Sequence, residues 1–254
     1  MDRPIWEGIY KDIHEVKALG NGFNSSNWIH NSKVKVENYL AGINESDPIP
    51  PFPPRPTSLP LLAAMFKKNR DENQIIIDFG GGLGFSYLSF LRSCSRAKNY
   101  TYYIVESTEI CKLGDDIFSD HHNIFFSPHV HDLSLEIVDI IYMNSVLQYI
   151  GDWKALLNYL LNMKPEFFLM DDLPAGDIPT FATAQNYYSS KLPYWFFNVA
   201  DIQTCVESYG YTLEYKSKFS SLILGEIQEI PMSNFPSEYQ LDHPCTLLFR
   251  RGTS

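Results

Sequence analysis

The sequence predicts an α/β protein: a doubly wound, mostly parallel sheet with helices on both faces, preceded by a helical cap. Three observations predict it. From residue 75 onward, short apolar runs alternate with amphipathic segments. The first run, IIID (residues 75–78), is apolar until it ends in an acid. A glycine-rich turn then follows it directly. A short, wholly apolar run suits a central parallel strand covered on both faces, and strands alternating with helices imply right-handed crossovers.

Taken in order, the amino-terminal segment 5–43 reads as mostly helical, from the apolar spacing Ile5, Ile9, Ile13, Val16, with a break at 20–27 (GNGFNSSN). Residues 47–60 contain seven prolines, which exclude helix and central strand and make a stiff connector. Residues 59–69 read as a helix leading into the core, and 75–78 as the first central strand. A helix follows at 85–93, a strand at 100–105, a helix at 109–118 and a strand at 123–126. Beyond them come a strand at 138–143, a helix at 152–163, a strand at 166–170 and a helix at 200–209 stopped by Gly210. The runs 212–217 and 245–250 have no long helix between them. They are expected to pair as an antiparallel hairpin at one edge, joined by a long loop over 225–243. The expected domains are a helical cap (1–47), the connector (48–60) and a Rossmann-like domain (61–254).

Composition narrows the function classes. With 254 residues, 44% hydrophobic and 15% aromatic, the chain can bury one domain core with a modest appendage. A formal net charge of −10 argues against a nucleic-acid or anionic-membrane partner, since phosphate binding draws on clustered Lys and Arg. Cys94, Cys111, Cys205 and Cys245 are spaced for neither a disulfide framework nor a zinc site, and read as reduced thiols. The first residues, MDRPIWEGIYKDIHEV, lack the apolar core of a secretory signal, and no run of about 18 or more apolar residues marks a membrane span. The expected location is the cytoplasm.

The turn carries the chemistry. In IIIDFGGGLGFSY, residues Asp78, Gly80, Gly82 and Gly84 give acid-x-Gly-x-Gly-x-Gly at a strand-to-helix junction. Glycines permit positive φ and close backbone approach, and the helix start offers unpaired N–H groups. A dinucleotide fingerprint fails in register, because its last glycine falls on Phe85. A P-loop fails for want of a following lysine, and the tripeptide Asp78-Phe79-Gly80 lacks every other kinase signature. S-adenosylmethionine fits, its amino and carboxylate groups against the turn and the acid. Glu106 ends the next strand, 22 residues after Gly84, where a carboxylate can accept both ribose hydroxyls. NAD enzymes use such an acid too, so Glu106 indicates a nucleoside without choosing the cofactor.

The segments WEGIY, IIIDFGGGLGFSY, YYIVES, SVLQYIGDW and PTFATAQ together resemble a methyltransferase family found among surface-polysaccharide (capsule and lipopolysaccharide) biosynthesis genes. The resemblance spans nearly the whole chain. It implies a class I, Rossmann-like fold with a seven-stranded sheet whose last strand is antiparallel. It also implies that Asp78, Gly80, Gly82 and Gly84 hold the methionine part of S-adenosylmethionine, that Glu106 holds the ribose, and that Asn144, Ser145 and Gln148 close the cofactor site. DDLPAG (171–176) departs from the pattern, which has a basic or neutral polar residue after that strand.

For the acceptor, the carboxyl ends of the fourth and fifth strands nominate Asn144, Ser145, Gln148, Tyr149, Asp171 and Asp172. Adjacent carboxylates can raise one another's pKa, which makes Asp171 and Asp172 candidate bases, although an exposed acid pair in a loop explains them as well. His129, in SPHVHD with His131, is a candidate base or an adenine contact, with adenine-side packing preferred and no metal expected. The stretch 181–198, FATAQNYYSSKLPYWFFN, offers aromatic walls with polar tips such as Gln185 and Lys191. It suits a small-molecule or saccharide acceptor, and equally a helix and loop packed on the core or on a second copy in a homo-oligomer. The leading expectation is O-methylation of a sugar or of a sugar-linked phosphate or phosphoramidate group. A nicotinamide-dependent oxidoreductase and a non-catalytic S-adenosylmethionine-binding subunit are the alternatives.

Overall fold

A computed structural model describes residues 4–42, 57–65, 73–94, 99–187, 189–223 and 226–252. Most of the proline-rich connector, through residue 56, and residues 66–69 of the second expected helix lie outside the described residues. In chain order the elements are β1 (Trp6–Tyr10), α1 (Ser26–Ala41), α2 (Leu59–Met65), β2 (Gln74–Phe79), α3 (Phe85–Ser93), β3 (Tyr100–Val105), α4 (Thr108–Ile117), β4 (Ile124–Ser127), β5 (Ile140–Asn144) and α5 (Trp153–Leu161). They continue as β6 (Phe167–Leu173), β7 (Ala175–Gly176), β8 (Phe181–Tyr187), β9 (Ser190–Asn198), α6 (Val199–Glu207), β10 (Tyr211–Lys218), β11 (Leu222–Ile223), β12 (Glu226–Ile227) and β13 (Cys245–Arg251).

Seven strands form one sheet in the order β10-β13-β6-β5-β2-β3-β4. β2 pairs in parallel with β3 and β5, and β3 with β4. β13 runs antiparallel to both β6 and β10, so the last strand is the reversed one, as the sequence predicts. A second sheet has the order β1-β8-β9-β7.

By compactness the chain divides into two units, Met1–Ser25 with Asn144–Ser254, and Ser26–Met143. In the 26–143 unit the core is β2 and β3: Ile76, Ile77, Tyr102 and Ile104 are fully buried, as a central strand with both faces covered requires. Two contacts tie its helices down. The Tyr100 hydroxyl donates to the Ala63 carbonyl of α2 at 2.6 Å. Arg92 of α3 donates to the Tyr39 carbonyl of α1 at 3.0 Å and lies 3.7 Å from the centre of the Tyr39 ring.

In the other unit, an aromatic and aliphatic cluster joins Trp6 of β1, Phe181 of β8, Tyr194 and Phe196 of β9, and Ile230, Met232 and Phe235 of the loop before β13. Helices start on side-chain caps: Asp152 accepts from Ala155 N at 3.0 Å at α5, and Asn198 from Ala200 N at 2.8 Å at α6.

Three expectations need correction. Residues 6–10 form a strand, and the amino-terminal segment becomes α-helical only from Ser26. Helical apolar spacing loses here to tertiary pairing: β1 adds to β8 antiparallel, with a register shift between Glu7 and Tyr10, and Gly8 takes φ +80°, which no helix allows. The aromatic stretch 181–198 is a β-hairpin, β8 paired with β9 from Phe181↔Phe196 to Tyr187↔Ser190, rather than a helix and loop. Finally, β6 runs on through Leu173, so Asp171 and Asp172 are buried strand residues and not an exposed loop pair.

Candidate functional site

β2 delivers the chain into the glycine turn. Gly80 N still donates to Val105 O at 2.9 Å, extending the β2–β3 ladder by one bond. Gly80, Gly82 and Gly84 then adopt φ of +73°, +56° and +81°, the left-handed region open to glycine, and Gly84 caps α3 in that conformation. Gly81 has a different role. A Cβ there would meet the Asp78 carboxylate at 2.6 Å, so the absence of a side chain lets that carboxylate fold beneath the turn. At Gly82 a Cβ would meet nothing within 4 Å, so the space beside the turn there is open.

Asp78 is fully buried and accepts from the Tyr102 hydroxyl at 2.8 Å through Oδ2, while its Oδ1 has no hydrogen-bond partner. Burial lifts its pKa to about 7, against the lowering effect of the Tyr102 and Ser86 hydroxyls, and the charge of Glu106 adds to the rise. Glu106, just past β3, accepts from Ser107 N at 2.6 Å through Oε2. The Gly82 N–H and the Ser107 hydroxyl also support its carboxylate, but burial outweighs all three and raises the pKa. Two carboxyl groups with spare acceptor capacity therefore flank the open turn. They can receive an ammonium group and a pair of hydroxyls.

His129 is elsewhere in character. It is exposed, in the bend after β4, with its ring stacked on His131 at 5.1 Å and 8°. His131 in turn lies 3.4 Å from Asp132. Among the described residues no group of three His, Cys, Asp or Glu side chains could hold a metal ion.

Asn144, Ser145, Gln148, Tyr149, Asp171 and Asp172 come together in the other unit. Ser145 N donates to Asp171 O at 3.1 Å, and Ser145 itself takes φ +57°. Gln148, 1% exposed, donates from Nε2 to Ser145 Oγ at 3.0 Å and also supports the Tyr194 hydroxyl. The Tyr149 hydroxyl donates to Gln185 Oε1 at 3.0 Å, and the Tyr149 and Tyr194 rings meet edge to face at 5.2 Å. Burial pushes both phenols well above their ordinary pKa, with Asp172 adding to each. The two aspartates engage different hydroxyls, Asp171 that of Thr246 and Asp172 that of Ser221, each at 2.6 Å. Lys191 is held by Glu7 at 2.7 Å, a tie between β9 and β1.

Sequence reasoning missed Gly81, Tyr102 and Tyr194. The alternation of β3, YTYYIV, was the available signal for Tyr102, since it puts Tyr100 and Tyr102 on one buried face and a buried phenol requires a hydrogen-bond partner.

No protein-family model matches the chain, and no curated protein matches its sequence. Solved structures do match its shape. The 1,6-didemethyltoxoflavin-N1-methyltransferase of Burkholderia thailandensis, with bound 1,6-didemethyltoxoflavin and S-adenosylhomocysteine, is 15% identical with a TM-score of 0.54, over 94% of either chain. The CcbJ methyltransferase of Streptomyces caelestis is 11% identical with a TM-score of 0.51, over 85% of this chain and 96% of its own. Magnesium protoporphyrin IX methyltransferase of Synechocystis PCC 6803, with bound SAM, is 12% identical with a TM-score of 0.50, over 92% of this chain and 87% of its own. At these identities the likeness is one of fold: the chain has the Rossmann-like α/β fold that these methyltransferases share.

Proposed function

We propose that the chain is an S-adenosylmethionine-dependent methyltransferase that O-methylates a small polar acceptor of the sugar class. The observation that carries the reading is the orphaned Oδ1 of buried Asp78 under an open glycine turn, with Glu106 beside it. An unsatisfied acceptor in a buried site calls for a donor, and the ammonium of the methionine moiety is one. Asp78, Gly80, Gly82 and Gly84 would hold that moiety, with Gly82 leaving room for it. Glu106, with about four lone-pair sites, has carboxylate capacity left beyond the Ser107 and Gly82 N–H groups and the Ser107 hydroxyl for a ribose diol. His129 remains a candidate for the adenine side.

When bound, the cofactor supplies a methyl group on a sulfonium. The chain's own tasks are orientation, exclusion of water and acceptance of the hydroxyl proton. Each carboxylate already takes one hydroxyl, Asp171 that of Thr246 and Asp172 that of Ser221; for that proton we favour Asp172, because it adjoins the tyrosine cluster. The polar character of this cluster also favours a catalytic chain over a non-catalytic binding subunit. A dinucleotide is disfavoured by the glycine register, in which Phe85 stands where its fingerprint needs the last glycine. Placement in surface-polysaccharide synthesis rests on the sequence resemblance alone.

Equilibrium dialysis with methyl-labelled S-adenosylmethionine tests the reading. Wild type should retain label at micromolar concentration and Glu106→Ala at least tenfold less. Equal retention by both would place the nucleoside elsewhere.

A further inference from the structure

We infer that the Gln148–Tyr149–Tyr194 cluster, in the unit formed by 1–25 and 144–254, is the acceptor-recognition site, and that it selects a ring bearing free hydroxyl or amino groups and rejects the phosphorylated counterpart. The inference deepens the methyltransferase reading and rests on it.

The groups left unspent in the cluster are nearly all hydrogen-bond acceptors. Gln148 Oε1 has no partner although the residue is 1% exposed, and Asn144 Oδ1, at the end of β5 four residues earlier, is likewise buried and unpartnered. Gln148 is oriented by its Nε2 bond to Ser145 Oγ at 3.0 Å, which fixes the amide with its oxygen unspent. Among the described residues, the buried donor left unspent beside the cluster is Trp6 Nε1, whose ring lies 6.0 Å from that of Tyr194. A site with two spare acceptors and one spare donor is complementary to a molecule rich in O–H or N–H groups with a single exposed acceptor.

Charge points the same way. Asp172, 8% exposed, acts on both phenols, so the ionisable group beside the cluster is a carboxyl. The nearby cation on β9, Lys191, is held by Glu7 at 2.7 Å. A phosphate dianion would bring only acceptor oxygens and negative charge to these groups, whereas an ammonium or hydroxyl brings what they lack. The cluster is aromatic as well as polar, the Tyr149 and Tyr194 rings meeting at 84° and Phe23 meeting Tyr149 at 83°, a surrounding that suits the apolar face of a sugar ring. Ser145 and Asp172 both sit in left-handed backbone, at φ +57° and +52°, a local strain of the kind that clusters where side chains are aimed for function.

The test is saturation-transfer NMR on protein loaded with S-adenosylhomocysteine, using methyl hexosides, the matching hexosamines and hexose 6-phosphates. Unphosphorylated members should bind and their 6-phosphates at least tenfold more weakly; the hexoside and hexosamine arms separate a hydroxyl donor from an ammonium. Tyr194→Phe, which removes one hydroxyl, and Gln148→Met, which removes the spare oxygen, should each weaken the unphosphorylated ligand at least tenfold while the melting temperature stays within about 2–4 °C of wild type. Phosphates that bind as well as their parents, or silence across the unphosphorylated members with the cofactor product still bound, overturns the inference and leaves the methyltransferase reading standing. Failure of S-adenosylhomocysteine to bind wild type overturns that reading instead.

Discussion

Asp78 is a carboxyl group held below its turn by two neighbours of opposite character, a tyrosine that supplies a hydrogen bond and a glycine that supplies space. Because burial raises its pKa to about 7, the folded chain keeps a proton that the unfolded chain releases near pH 4. The sign follows from linkage: this group's contribution to stability is full below the unfolded value, declines as pH rises toward 7, and is constant beyond. Cofactor binding should show the opposite slope, because an ammonium requires the carboxylate. Affinity for S-adenosylmethionine is expected to rise up to about tenfold per pH unit between pH 5.5 and 7, and Asp78→Asn should flatten that slope in calorimetric titrations. A wild-type affinity independent of pH would contradict the assignment.

The glycines separate in the same way. Gly82→Ala meets no atom but must hold φ +56°, at a cost of about 1–2 kcal/mol measurable by urea unfolding. Gly81→Ala instead displaces the Asp78 carboxylate, and should reduce cofactor affinity by more than it reduces stability.

β6 and β13 show how a strand end is committed to structure. Asp171 is 1% exposed and takes the Thr246 hydroxyl at 2.6 Å across the antiparallel pair. Thr246→Val keeps the shape and removes the donor, so unfolding should become easier by about 1–3 kcal/mol while cofactor affinity is unchanged. A stable variant that failed to bind cofactor would move Asp171 into the functional machinery.

The elements also differ in how far the sequence reveals them. β2, α3 and β3 were legible to within a residue, because a doubly covered strand and a glycine-started helix leave local signatures. β1 was not, because its apolar spacing is helical and only its partner, β8, makes it a strand. The β8–β9 hairpin hid behind Pro193 and a run of aromatics that suit a strand or a packed helix equally, until pairing with Ala184 and its neighbours decides. Among the candidate site residues, the cofactor acid and glycines follow from spacing in one segment. The tyrosine cluster joins residues 6, 148, 149 and 194, a proximity set by tertiary pairing that no local pattern encodes.

The whole chain carries a net charge of −10, and among its described residues no helix is long and apolar enough to cross a membrane. With the glycine turn, Asp78 and Glu106 all in the 26–143 unit, ligand protection should be local. Hydrogen exchange with S-adenosylhomocysteine is expected to slow amides at 80–84 and 106–107 most, and slowing confined to other segments would relocate the site. The central claim is the identity of the nucleoside, and calorimetry of the wild-type chain with S-adenosylmethionine, S-adenosylhomocysteine and NAD in parallel tests it most directly. The two sulfur nucleosides should bind with micromolar affinity and one-to-one stoichiometry and NAD should give no heat; binding of NAD with neither sulfur nucleoside would contradict the account.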